Sequence, residues 1–89
     1  MPETTAMATV SLHYWAGVRA AAGVEIETFE TDTVQSALDL AAARRDPRFG
    51  RILLVSSILV NGRVRRGDEL TTPLDGPVQA EVLPPFAGG

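Results

Sequence analysis

The chemistry in this chain is concentrated at its last residues. Pro84-Pro85-Phe86-Ala87-Gly88-Gly89 runs from stiff to slim, with two prolines, one apolar ring and then three residues with almost no side chain. Extended, such an arm reaches about 20 Å at ~3.3 Å per residue. The group it delivers is the carboxylate of Gly89. A carboxylate oxygen attacks the α-phosphorus of ATP in a partner's deep pocket only when nothing branched surrounds it, and glycine's missing side chain permits that approach. Ordering the tail costs backbone entropy, so a Gly-Gly terminus does not serve stability. The expected chemistry is activation of the Gly89 carboxylate by a second protein. Pro84, Pro85, Phe86, Ala87 and Gly88 form the segment expected to enter the partner's tunnel, with Phe86 as its apolar anchor.

Composition narrows what that carboxylate can be used for. Eleven acidic residues against eight basic ones give a net charge of −3, and the basic clusters, Arg44-Arg45 and Arg63, Arg65 and Arg66, are short. Nucleic acid is not an expected partner. All eight basic residues are arginine, so no lysine side chain is present to accept chain growth or to form a Schiff base. The chain also has no cysteine. That excludes a disulfide framework, a thiolate metal site and a persulfide, so any sulfur must sit on another group. A single histidine, His13, builds no metal site, and no bound cofactor is expected. The longest apolar run, Ile52 to Val60, is interrupted by Ser56 and Ser57 and is too short to cross a membrane. Residues 1 to 9 lack a basic stretch followed by an apolar core, so no signal peptide is read and a cytoplasmic location is expected.

The elements that must position the tail read as one small domain. A chain of 89 residues buries roughly 60 to 65% of its unfolded surface, and 45% apolar residues are enough for a packed core. Residues 1–8 read as an N-terminal extension, 9–83 as the domain and 84–89 as the tail. Val10, Leu12 and Tyr14 alternate with polar neighbours, which predicts a strand from Thr9 to Trp15. His13 falls on its outward face as a solvated residue. Ala16 to Gly23 reads as a short helical turn or compact loop. Glu25 to Thr31 reads as a second strand, with Ile26 its clearest inward residue and Phe29 out of phase. Asp32-Thr33-Val34-Gln35 is a helix start. Val34, Ala37, Leu38, Ala41 and Ala42 then recur at helical spacing, and Arg44 and Arg45 suit the negative end of the dipole. Asp46-Pro47 opens a shorter helix to Leu54.

Ile58, Val60 and Val64 flank Asn61-Gly62, the strongest two-residue hairpin signal. Arg63, Arg65 and Arg66 read as a solvated rim. Val78 to Leu83 is a last strand, which Pro84-Pro85 ends because neither proline donates a ladder hydrogen bond. Two strands, a long helix and a return to strands predict an α+β fold: a mixed sheet of about five strands, one main helix and one short helix, in a β-grasp arrangement. A ferredoxin-like fold would need a second long helix before the last strand.

The same landmarks carry a family resemblance across nearly the whole chain. Tyr14-Trp15-Ala16 with Arg19 and Gly23, then Val60-Asn61-Gly62, Pro73-Leu74-Asp75-Gly76 and Val82-Leu83-Pro84-Pro85-Phe86-Ala87-Gly88-Gly89 resemble the small subunit of molybdopterin synthase, a ubiquitin-like family. One departure is that Gly76 is followed by Pro77-Val78, where family members commonly have Gly-Asp. The resemblance implies that Gly89 is adenylated by an E1-like adenylyltransferase using ATP, then converted to a thiocarboxylate. Sulfur would pass to cyclic pyranopterin monophosphate in a heterotetramer with the large synthase subunit, so the chain would be a sulfur-donating subunit of a sulfurtransferase. Sulfur carriers of thiamine thiazole, cysteine or tungsten-cofactor synthesis share this tail chemistry, and a ubiquitin-like modifier that joins lysines on target proteins shares its activation. Arg19 is expected to pair with a carboxylate or cap a carbonyl.

Overall fold

A computed structural model describes residues 7–85. Its elements are β1 (Ala8–Tyr14), α1 (Ala16–Ala22), β2 (Ile26–Thr31), α2 (Val34–Ala43), α3 (Pro47–Val55), β3 (Ser57–Val60), β4 (Arg63–Arg65), a 3-10 turn (Gly67–Thr71) and β5 (Val78–Leu83). The strands form one five-stranded sheet in the order β2-β1-β5-β3-β4. β5 runs parallel to β1, and the other pairings are antiparallel. This is the mixed α+β sheet that the sequence predicts, with the last strand inserted beside the first.

One face of the sheet carries the core. Val10, Leu12 and Tyr14 of β1 and Ala80 and Val82 of β5 are fully buried, packed with Val18 of α1, Ala37 and Ala41 of α2 and Phe49 of α3. Burial of this apolar surface is the main stabilising contribution, at about 25 cal/mol per Å². α2 starts where its cap predicts: the Thr33 hydroxyl accepts from the Ser36 amide at 3.0 Å, although Gln35 turns to Asp39 instead of reaching back. α3 starts at Pro47, with the Asp46 carboxylate accepting from the Arg48 amide at 2.7 Å. β1 begins at Ala8, which is buried and paired with Thr31, so the sheet starts one residue earlier than the alternation suggests.

Two expectations differ from the structure. Ala16–Ala22 is a full helix, closed by Gly23 at φ 82 with its amide bonded to the Arg19 carbonyl; alanine's high helix propensity outweighs the flanking glycines. In β2 the inward residue is Phe29, and Ile26 is 50% exposed. The register explains this. Phe29 lies opposite Val10 on the helix-covered face, whereas Ile26 lies opposite His13 on the open face.

The hairpin between β3 and β4 turns at Asn61 (φ 50) and Gly62 (φ 88), both left-handed, as a type I′ turn requires. Asn61 also bonds the start of β5: its amide donates to the Gln79 carbonyl at 2.8 Å, and its Oδ1 accepts from the Gln79 amide at 3.1 Å. Gly62→Val forces a β-branched residue into this region and should cost about 2 kcal/mol. Urea unfolding of the two proteins gives the difference, and an unchanged midpoint would show that the turn relaxes freely.

Candidate functional site

The placement of β5 decides where the tail leaves the domain. β5 is the central strand, flanked by β1 and β3. Tyr14 is the register partner of Val82, and Ser57 that of Leu83. The Trp15 amide donates to the Val82 carbonyl at 3.1 Å, which locks the start of α1 to the end of β5. Pro84 therefore leaves the sheet between Trp15 and Ser57, half-buried at its root, and Pro85 is exposed. A root held by strands on both sides gives the arm a fixed point of departure.

The surface beside this exit is apolar and open. Trp15 is 42% exposed, and its indole stacks on the His13 ring at 4.7 Å between centroids. His13 Nε2 lies 3.7 Å from a Glu25 carboxylate oxygen, so the histidine stands on the outward face as the alternation of β1 predicts. Leu54 and Val55, which close α3 shortly before Ser57, are exposed as well. Those two residues belong to an amphipathic helix whose core residue is Phe49.

Beneath the corner lies a polar cluster that sequence spacing did not bring out. Tyr14 is fully buried and its hydroxyl donates to Glu27 Oε1 at 2.7 Å. The same carboxylate takes Arg45 at 2.9 Å and Arg44 at 3.0 Å. Arg45 further donates to the carbonyls of Ala22 and Ala41 and lies over the Phe49 ring at 4.8 Å. Burial pushes the Glu27 carboxyl up, but the bonds from Arg45, Tyr14 and Arg44 outweigh it and hold the pKa below the usual value. Burial also raises the Tyr14 phenol well above its ordinary range, and the bond to Glu27 raises it further. The cluster ties β1, β2, α1 and α2 together one residue from Trp15. Its signal in the sequence was the phase of β2: with Phe29 inward, Glu27 must be inward too.

Of the tail residues, Pro84 and Pro85 are placed by the structure, and Phe86, Ala87, Gly88 and Gly89 lie outside the described residues. The Arg19 side chain is exposed, with neither a carboxylate partner nor a carbonyl to cap among the described residues. Arg65 pairs with Glu69 at 3.4 Å across the start of the 3-10 turn. Glu69 also accepts from the Arg66 amide, which lowers its pKa. No three His, Cys, Asp or Glu residues gather into a metal site among the described residues. Nor is any helix among them long and apolar enough to cross a membrane.

Comparison with solved structures gives the architecture a name. The small archaeal modifier protein 1 from Methanosarcina acetivorans superposes with a TM-score of 0.77 at 24% identity, over 93% of this chain and 98% of that one. The Haloferax volcanii protein of the same name gives a TM-score of 0.72 at 20% identity, over 91% of this chain and 99% of that one. In the complex of molybdopterin-converting factor subunits 1 and 2 from Helicobacter pylori, the matching chain gives 0.65 at 20% identity, with 91% and 99% covered. The chain has the ubiquitin-like β-grasp fold. At these identities the likeness concerns the fold. No protein-family profile matches the sequence, and neither does any curated protein. Within the β-grasp frame, β1 and β5 are the parallel central pair, and the tail is the direct continuation of β5.

Proposed function

We propose that this chain is the sulfur-carrying small subunit of a molybdopterin synthase. The observation that carries the reading is the continuity of the central strand β5 with Pro84-Pro85-Phe86-Ala87-Gly88-Gly89. A Gly89 carboxylate oxygen attacks the α-phosphorus of ATP on an E1-like adenylyltransferase, releasing pyrophosphate. A sulfur nucleophile then displaces AMP from the carbonyl, leaving a thiocarboxylate. In the large synthase subunit the sulfur passes to cyclic pyranopterin monophosphate, and water restores the carboxylate. The likeness to a subunit 1 in complex with its subunit 2 supports such a partner. The absence of cysteine agrees with sulfur carried on the terminal carbonyl.

A second reading, a modifier joined through Gly89 to lysines of other proteins, draws support from the two structures described as small archaeal modifier proteins. It shares the adenylation step and differs in the acceptor.

Intact-mass measurement after incubation with ATP, a sulfur donor and the cognate activating enzyme should show one oxygen replaced by sulfur. An unchanged mass with a competent enzyme would sink the carrier reading. Restored molybdoenzyme activity in a strain lacking its own small subunit supports the first reading, and Gly89-dependent higher-mass conjugates support the second.

A further inference from the structure

The nucleophiles that this chain lacks, and the way it holds the ones it has, bear on what an activated Gly89 can react with. Every basic residue is arginine, and there is neither lysine nor cysteine in the sequence. A guanidinium stays protonated and does not attack carbonyls, whereas about 1% of a lysine ammonium is free amine at pH 8.5. The phenol of Tyr14 is fully buried and donates to Glu27. Next to the tail's exit the Ser56 hydroxyl donates to the Ile52 carbonyl at 2.7 Å, and the exposed Ser57, opposite Leu83, offers a neutral alcohol hydrogen-bonded to no base among the described residues. His13 is the one imidazole, and an acyl group taken by its ring nitrogen returns to water as the carboxylate. It therefore leaves no adduct.

We propose that the chain is a self-inert acyl carrier: its activated C-terminus links neither to its own side chains nor to those of a second copy, so any protein conjugate it forms carries no branch on the carrier's own side chains. The inference rests on the reading that Gly89 is activated, and it adds a restriction on the acceptor. Geometry makes the restriction necessary. α1 starts at the tail's exit, where the Trp15 amide bonds the Val82 carbonyl, and Arg19 stands exposed one turn along that helix. Arg19 lies three residues into α1, a rise of about 5 Å at ~1.5 Å per residue, within the contour of roughly 20 Å that six extended residues allow. A lysine at position 19 would meet the activated carbonyl at an effective concentration on the order of millimolar.

The test installs a thioester on Gly89 chemically, so that a missing activating enzyme cannot affect the result and the activation reading stays a separate question. The full chain is acetylated at its α-amine, which removes its only amine, and held at pH 8.5. The wild-type thioester should yield only free thiol and the hydrolysed carboxylate, by intact mass and peptide mapping. In Arg19→Lys the lysine nitrogen attacks the Gly89 carbonyl, the thiol leaves, and the ammonium proton passes to buffer. A self-adduct absent from wild type, lariat or dimer and lighter by the departed thiol, is expected. Thermal unfolding checks that Arg19→Lys is folded. A wild-type ester or amide on any side chain overturns the proposal, as does a folded Arg19→Lys protein that forms no adduct.

Discussion

Deleting Gly89, or replacing Gly88 with valine, should reduce adenylation at least ~10²-fold, because a small displacement of the attacking oxygen costs that much. The melting temperature should stay within about 3 °C of wild type. The separation of the two effects follows from where the ladder ends. Its last pair is Ser57 with Leu83, and Pro84 and Pro85 add no donor beyond it. A branched side chain next to the carboxylate obstructs the narrow approach to the ATP α-phosphorus, while no described core residue lies beyond Val82. Gly88→Ala should fall between wild type and valine, because it adds one methyl group without β-branching. Pyrophosphate release with the cognate activating enzyme measures the first effect, and scanning calorimetry the second. Full activity in the Gly89 deletion would remove the carboxylate from the mechanism, and a fall of many degrees would make the tail a structural element.

What the sequence disclosed follows the range of the interactions involved. α2 was legible because a threonine cap and a run of apolar residues at helical spacing are local signals. The Asn61-Gly62 turn was legible because few other residue pairs tolerate its backbone angles. The insertion of β5 beside β1 could be inferred from the element order, since two strands, a helix and more strands leave few ways to close a small sheet. The phase of β2 was not legible. Ile26 and Phe29 are both good inward residues and lie three apart, so alternation could serve only one of them. Pairing with β1 across an 11-residue connection settles the choice for Phe29. That choice carries Glu27 inward, and with it the ion cluster, whose arginines arrive from the end of α2 seventeen and eighteen residues later. At the tail, the sequence specified residue types and their chemistry. The structure adds the point of departure, between Trp15 and Ser57.

Replacing Glu27 with glutamine should destabilise the protein by about 2 to 3 kcal/mol at pH 7, somewhat less than breaking a fully buried ion pair because Arg44 sits at an exposed rim. Only 14% of the Glu27 side chain is accessible, and Arg45 is almost as covered at 15%. Removing the carboxylate therefore leaves a guanidinium without its counter-charge under the helices. Tyr14→Phe removes one donor and keeps the ring that meets Phe49 edge-on at 5.7 Å, so it should cost only about 1 kcal/mol. The pH dependence has a fixed sign. Glu27 has a lower pKa folded than unfolded, so its contribution is present above the unfolded carboxylate value and is lost as pH falls through the lowered folded value. The gap in melting temperature between wild type and Glu27→Gln should therefore be widest near neutrality and close in acid. Thermal unfolding from pH 7 to pH 3 measures it, and a gap that stays constant across the range would mean that shape, not charge, holds the corner. The same corner fixes the start of α1 against β5, with Tyr14 contributing its phenol to Glu27 and its register position to Val82. A protein weakened at Glu27 should deliver its tail from a looser root. Adenylation should then fall at temperatures well below the melting transition, whereas the Gly88 variants lose it at every temperature.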